Sequence, residues 1–137
     1  MRYMLLIYTR EDAMAQRSPE ETQKTMEAHW ELMDDTRRKG ILEGVEPLAR
    51  TGMATTVRVQ NGKPIVTDGP FAETREQLAG YYILNCKDLD ETIAYARRIP
   101  TCCGGAEGCI EIRPLPGLPQ REPLPHQETE LSVAHNG

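Results

Sequence analysis

Two short segments, Tyr3–Tyr8 and Tyr81–Leu84, are apolar or aromatic at every position. A strand with one wet face alternates apolar and polar residues, whereas one that is apolar at consecutive positions is buried on both faces. The chain therefore has to place something on each side of the sheet that holds these two strands, and this requirement limits the folds open to it more than any other feature.

A helix follows each strand. Ser18-Pro19-Glu20-Glu21 carries three start signals: a capping serine, a proline at the first helical position and a glutamate that completes a capping box. The helix is predicted to run to Lys39, with Arg37, Arg38 and Lys39 at the negative end of its dipole and Gly40 as its left-handed stop. Met26, Trp30 and Met33 form its expected apolar stripe. Asp88 and Glu91 open a second helix with the stripe Leu89, Ile93, Ala96 and Ile99, stopped by Pro100. Ile41–Glu46 reads as a short strand interrupted by Pro47, and Cys109–Arg113 as an alternating one. Ala54–Gln60 and Lys63–Thr67 flank Asn61-Gly62, a strong hairpin signal. Glu11–Arg17 reads as polar loop, Asp68–Phe71 as a turn, Glu73–Gln77 as a helical turn and Thr101–Gly108 as a glycine-rich loop.

The order is β-α-β, a hairpin insert, then β-α-β. That predicts an α+β fold, the ferredoxin-like split βαβ with an inserted β-hairpin. Its two helices cover one sheet face, and a second copy is the economical cover for the other, so a homodimer is expected. The 137 residues suit one domain, placed at 1–115. A tail follows at 116–137, and five of the ten prolines fall at or beyond Pro114. Such a tail reads as disordered by composition, or as an arm laid on a neighbouring subunit.

Sixteen basic against 21 acidic residues leave a net charge of −5, which argues against direct nucleic-acid binding. No apolar run approaches the ~18 residues of a membrane span, and the N-terminal apolar stretch is too short for a signal peptide. A cytoplasmic location is expected, with no membrane contact. Cys86, Cys102, Cys103 and Cys109 lack zinc-clamp spacing, and His126 and His135 lie in the tail. The four thiols are read as reduced and structural, Cys86 and Cys109 through partial burial. No metal is expected. GxGxxG, Walker, HExxH and GxSxG motifs are absent and no cofactor is implied.

His29 is the histidine of the folded part and sits on the flank of the first helical stripe. It reads either as a boundary histidine or as a general acid or base. Asp68 precedes Gly69-Pro70, where it could fix a turn or serve as a rigidly held carboxylate. Arg58, mid-strand, reads as a solvated residue or an anion anchor. Phe71, the single phenylalanine, joins it as a candidate substrate-binding residue.

The run Val66-Thr67-Asp68-Gly69-Pro70-Phe71-Ala72-Glu73-Thr74-Arg75-Glu76-Gln77-Leu78-Ala79-Gly80-Tyr81-Tyr82 resembles the DGPF signature of the YCII-related domain family. Thr55-Thr56-Val57-Arg58, Asp88-Leu89-Asp90-Glu91, Arg98-Ile99-Pro100 and Glu111-Ile112-Arg113-Pro114 agree with it, while Cys102-Cys103-Gly104-Gly105 departs from the usual loop. The resemblance covers roughly residues 1–115. It implies a ferredoxin-like fold that dimerises into an α+β barrel, similar in architecture to muconolactone isomerase. It also implies a histidine–aspartate dyad, whose roles fall here on His29 and Asp68. The leading expectation is proton transfer on a small, carbonyl-containing compound in a pocket between helices and sheet. The alternative is a non-catalytic binding or regulatory module linked to sigma-factor-dependent transcription. A direct Asp68 contact would raise the His29 pKa, whereas burial would lower it.

Overall fold

Strand β1 (Arg2–Thr9) lies inside a four-stranded antiparallel sheet, between β5 (Gln77–Asn85) and β6 (Cys109–Leu115), with β2 (Leu42–Pro47) on the far side of β5. The computed structural model describes residues 1–100 and 108–123. Between the strands run α1 (Glu11–Met14), α2 (Pro19–Arg38) and α3 (Leu89–Ala96). β3 (Thr55–Gln60) and β4 (Lys63–Asp68) form a separate two-stranded arm. The fold is α+β, with the expected strand–helix order and the hairpin inserted between β2 and β5.

The register sorts side chains onto two faces. Leu5 stands opposite Tyr82 and Ile112, and Tyr3 opposite Leu84. With Leu32 of α2 and with Tyr95 and Ile99 at α3 they form the core, in which Leu5 and Leu84 have no exposed surface. Residues of opposite parity, Met4, Leu6, Tyr8, Tyr81 and Ile83, stay half-buried, with Glu46, Glu111 and Arg113 exposed beside them.

α2 begins as expected: the Glu21 N–H donates to Ser18 Oγ at 3.1 Å. It ends in a Schellman turn, with Gly40 at φ +70°, its N–H on the Arg37 carbonyl at 3.0 Å and the Ile41 N–H on that of Thr36 at 2.9 Å. The buried stripe differs from the expected one. Leu32 and Thr36 are buried, while Trp30 is 46% exposed. Thr36 can enter the core because its hydroxyl donates back to the Leu32 carbonyl at 2.8 Å. α3 repeats the device. Thr92, bonded to the Asp88 carbonyl at 2.9 Å, is buried in place of the expected Leu89, which is half exposed.

Two loop readings are corrected as well. Glu11–Met14 is helical, pinned where the Glu11 N–H donates to Gln77 Oε1 and its carboxylate accepts from the Thr51 N–H and hydroxyl. Residues 73–76 form no helical turn, because the Gln77 side chain donates to the Thr74 carbonyl and Gln77 itself opens β5. Cys86 is buried but Cys109 is exposed, against the partial burial expected of it. Cys102, Cys103 and the glycine-rich loop lie outside the described residues up to Gly108. Residues 116–123 carry no regular structure, and the rest of the tail lies outside the described residues.

The arm closes on Asn61 (φ +50°) and Gly62 (φ +76°), the paired positive values of a type I′ turn. Val57 stands opposite Val66 and Val59 opposite Pro64, which gives the arm one apolar face. That face is uncovered: Val57, Val59 and Val66 are 64%, 75% and 65% exposed.

Candidate functional site

A cavity of about 300 Å³ lies between α2 and the sheet. This lies at the small end of the range for small-molecule sites. Thr22, Thr25, Met26, His29 and Met33 line it from one stripe of α2. Ile7, Val45, Gly80 and Tyr82 line it from the sheet, and Met14 and Arg17 from the approach to α2. Gly80 lets the β2 backbone approach closely: a Cβ there would sit 2.8 Å from the Glu46 carbonyl oxygen.

His29 is half-buried, with Nδ1 2.6 Å from the hydroxyl of the buried Tyr82. Burial pushes the Tyr82 pKa up to about 12, so the phenol keeps its proton at neutral pH. Burial also lowers the His29 pKa, so its ring is neutral there. The phenol donates to Nδ1, because the reverse arrangement would strand a buried O–H with no other acceptor among the described residues. The ring proton then belongs to Nε2. A neutral imidazole held this way presents a hydrogen-bond donor and no free basic nitrogen.

Arg17 is the cationic side chain of the cavity wall, its side chain 14% exposed. One terminal nitrogen donates to the Glu21 carbonyl at 3.0 Å. Its Nε lies 3.6 Å from the Glu21 carboxylate, and that N–H is buried without a hydrogen bond. The residues lining the cavity thus offer mostly donors and carbon, with Glu46 the one carboxylate, exposed on β2.

The other expected site residues stand elsewhere. Asp68 ends β4, is exposed and does not line the cavity, and no hydrogen bond joins it to His29 within the chain. The direction of the His29 shift agrees, since burial lowers it and no carboxylate opposes that. Arg58 is exposed on β3 and donates to the carbonyl of Phe71, a residue that is itself 73% exposed. Both belong to the arm side of the molecule rather than to the cavity wall. Among the described residues no group of three or more potential ligands converges on a metal position, and no helix is long and apolar enough to cross a membrane.

Sequence reasoning missed Tyr82 and Arg17 as site residues. Tyr82 carried a usable signal, because a tyrosine on the core face of a central strand must find a partner for its hydroxyl. Arg17 carried none, since a single arginine before a helix cap looks like a solvated residue.

Residues 1–116 match the family model of the YCII-related domain. The chain is also similar to an uncharacterised protein of Rhizobium meliloti (strain 1021), 37% identical over 115 residues that span 84% of this chain and 92% of that protein.

Proposed function

The chain belongs to the YCII-related domain family, and on that premise we propose that it is a homodimeric small-molecule protein in which His29 takes part in proton transfer on a carbonyl-bearing compound. The observation that carries this reading is the placement of His29 in the wall of the α2 cavity, neutral, with Nδ1 occupied by Tyr82. An Nε2–H held in a mostly apolar space can polarise a carbonyl oxygen, because a fixed donor costs no reorganisation and is poorly screened there.

Dimerisation is supported by two uncovered surfaces: the half-buried sheet face around Leu6 and Ile83, and the apolar face of the arm. A dimeric α+β barrel would cover the first. Asp68, Arg58 and Phe71 would then join a binding site only across the subunit boundary, with Asp68 the carboxylate that takes the proton while the His29 Nε2–H holds the carbonyl oxygen.

A thermal-shift screen of small carbonyl compounds on wild type and His29→Ala tests the function. NMR detection of proton exchange from deuterated water into the bound compound follows. A ligand at a hundredfold excess over its dissociation constant stabilises the fold by ~2.7 kcal/mol. Exchange is expected in wild type and lost in His29→Ala. Binding without exchange in either protein would instead place the chain among non-catalytic binding or regulatory modules, such as one serving sigma-factor-dependent transcription.

A further inference from the structure

We infer that the α2 cavity takes a small organic acid with an apolar body, its carboxylate held by Arg17 at the end where α2 begins and its body lying between Met26, Met33 and Val45. The inference rests on the cavity being the ligand site and adds the class of ligand. The wall is sorted along its length. Arg17 and the Thr22 side chain stand at the start of α2, and His29 lies seven residues beyond Thr22, about 10 Å further at the rise of a helix. Met26 lies between them on the helix and Met33 four residues beyond His29, while Ile7 and Val45 line the cavity from the sheet.

The Arg17 guanidinium is the group that selects an anion. One terminal nitrogen is taken by the Glu21 carbonyl and Nε is buried, so a ligand carboxylate meets the remaining terminal nitrogen with a charge-assisted bond. The Glu21 carboxylate stands 3.6 Å away, too far for a good bond but near enough to compete with a ligand. The His29 Nε2–H then faces the same molecule with a second donor, suited to a carbonyl or carboxyl oxygen. An amine would meet Arg17 with like charge, and an alcohol would offer it only a neutral acceptor in place of a charge-assisted bond.

Octanoate and 1-octanol, equal in chain length and different in charge, are the probes. Calorimetry on the full chain should find octanoate bound at least tenfold more tightly than octanol. Arg17→Met should bring octanoate down to the octanol level and leave octanol unchanged. Glu21→Gln, which retains a residue able to complete the capping box, should tighten octanoate severalfold by removing its competitor. The methyl NMR signals of Met26 and Met33 should shift on binding and that of exposed Met53 should not. Octanol binding as tightly as octanoate, octanoate insensitive to Arg17→Met, or octanoate unaffected by Glu21→Gln would each overturn the ligand class while leaving the cavity a ligand site. Failure of both probes to bind would overturn the cavity reading itself.

Discussion

Replacing Tyr82 with phenylalanine removes one hydroxyl and keeps the ring. The wild-type contact joins a fully buried tyrosine to a half-buried histidine at 2.6 Å. Breaking a buried hydrogen bond from one side costs ~1–3 kcal/mol, because the abandoned partner stays desolvated. Here that partner, His29 Nδ1, borders a cavity that can admit water, so the lower half of the range applies, ~1–2 kcal/mol. For a chain of this size that is roughly 4–8 °C in Tm. The phenol also stabilises the neutral imidazole, so its loss should move the His29 midpoint upward, toward ~6.5. Two assays read this out: a double-mutant cycle of Tyr82→Phe with His29→Gln by urea denaturation, and NMR titration of the His29 ring protons in wild type and Tyr82→Phe. Strictly additive variants, within ~0.3–0.5 kcal/mol, together with an unmoved midpoint would refute the assigned direction of the bond.

Because the folded His29 pKa is depressed, the stability it contributes is full above ~6.5 and lost as the pH falls through the lower folded value; His29→Gln should flatten that part of a stability–pH curve. Gly80→Ala places a Cβ against the Glu46 carbonyl and should cost ~1–3 kcal/mol in chemical denaturation, with loss of cavity binding. Leu32→Ala removes a side chain that is 1% exposed and should cost ~2–5 kcal/mol by the same measurement. Asp35 accepts from Arg98 at 2.6 Å, and that bond, ahead of Lys39, holds its pKa below the usual carboxylate range. Its contribution is present above ~3.9 and lost as the pH falls through the folded value, so Asp35→Asn should remove part of the acid dependence of unfolding. Leu6→Arg should abolish the proposed dimer in sedimentation at micromolar concentration while the monomer stays folded, and an unchanged mass would argue against the sheet face as its interface.

The architecture was legible because its signals are local. Consecutive apolar residues marked β1 and β5, Ser18 and Gly40 marked the ends of α2, and Asn61-Gly62 marked the arm. The helix faces were less legible. Hydrophobicity favoured Trp30 and Leu89, whereas packing chose Thr36 and Thr92, whose hydroxyls are satisfied within their own helices. His29 could be singled out as a titratable group on a helix flank, but its partner could not. Asp68 carried charge and a rigid turn, while Tyr82 looked like one more apolar residue of a strand. Which of the two meets the imidazole depends on how β5 passes beneath α2, a long-range relation that no short segment encodes.

The position of β1 also sets the order in which this chain can be completed. Arg2 pairs with Asn85 on one side and Leu115 on the other. On a ribosome, then, the strand emerges long before either neighbour exists, and it must wait with both edges open through the synthesis of two helices and the arm. Such distant pairing slows folding and leaves a sticky edge available to other chains meanwhile. A nascent chain released before β6 would still hold β1 against β5 but would expose the opposite edge from Arg2 to Tyr8. Premature termination in that interval should therefore yield aggregates rather than a smaller soluble domain.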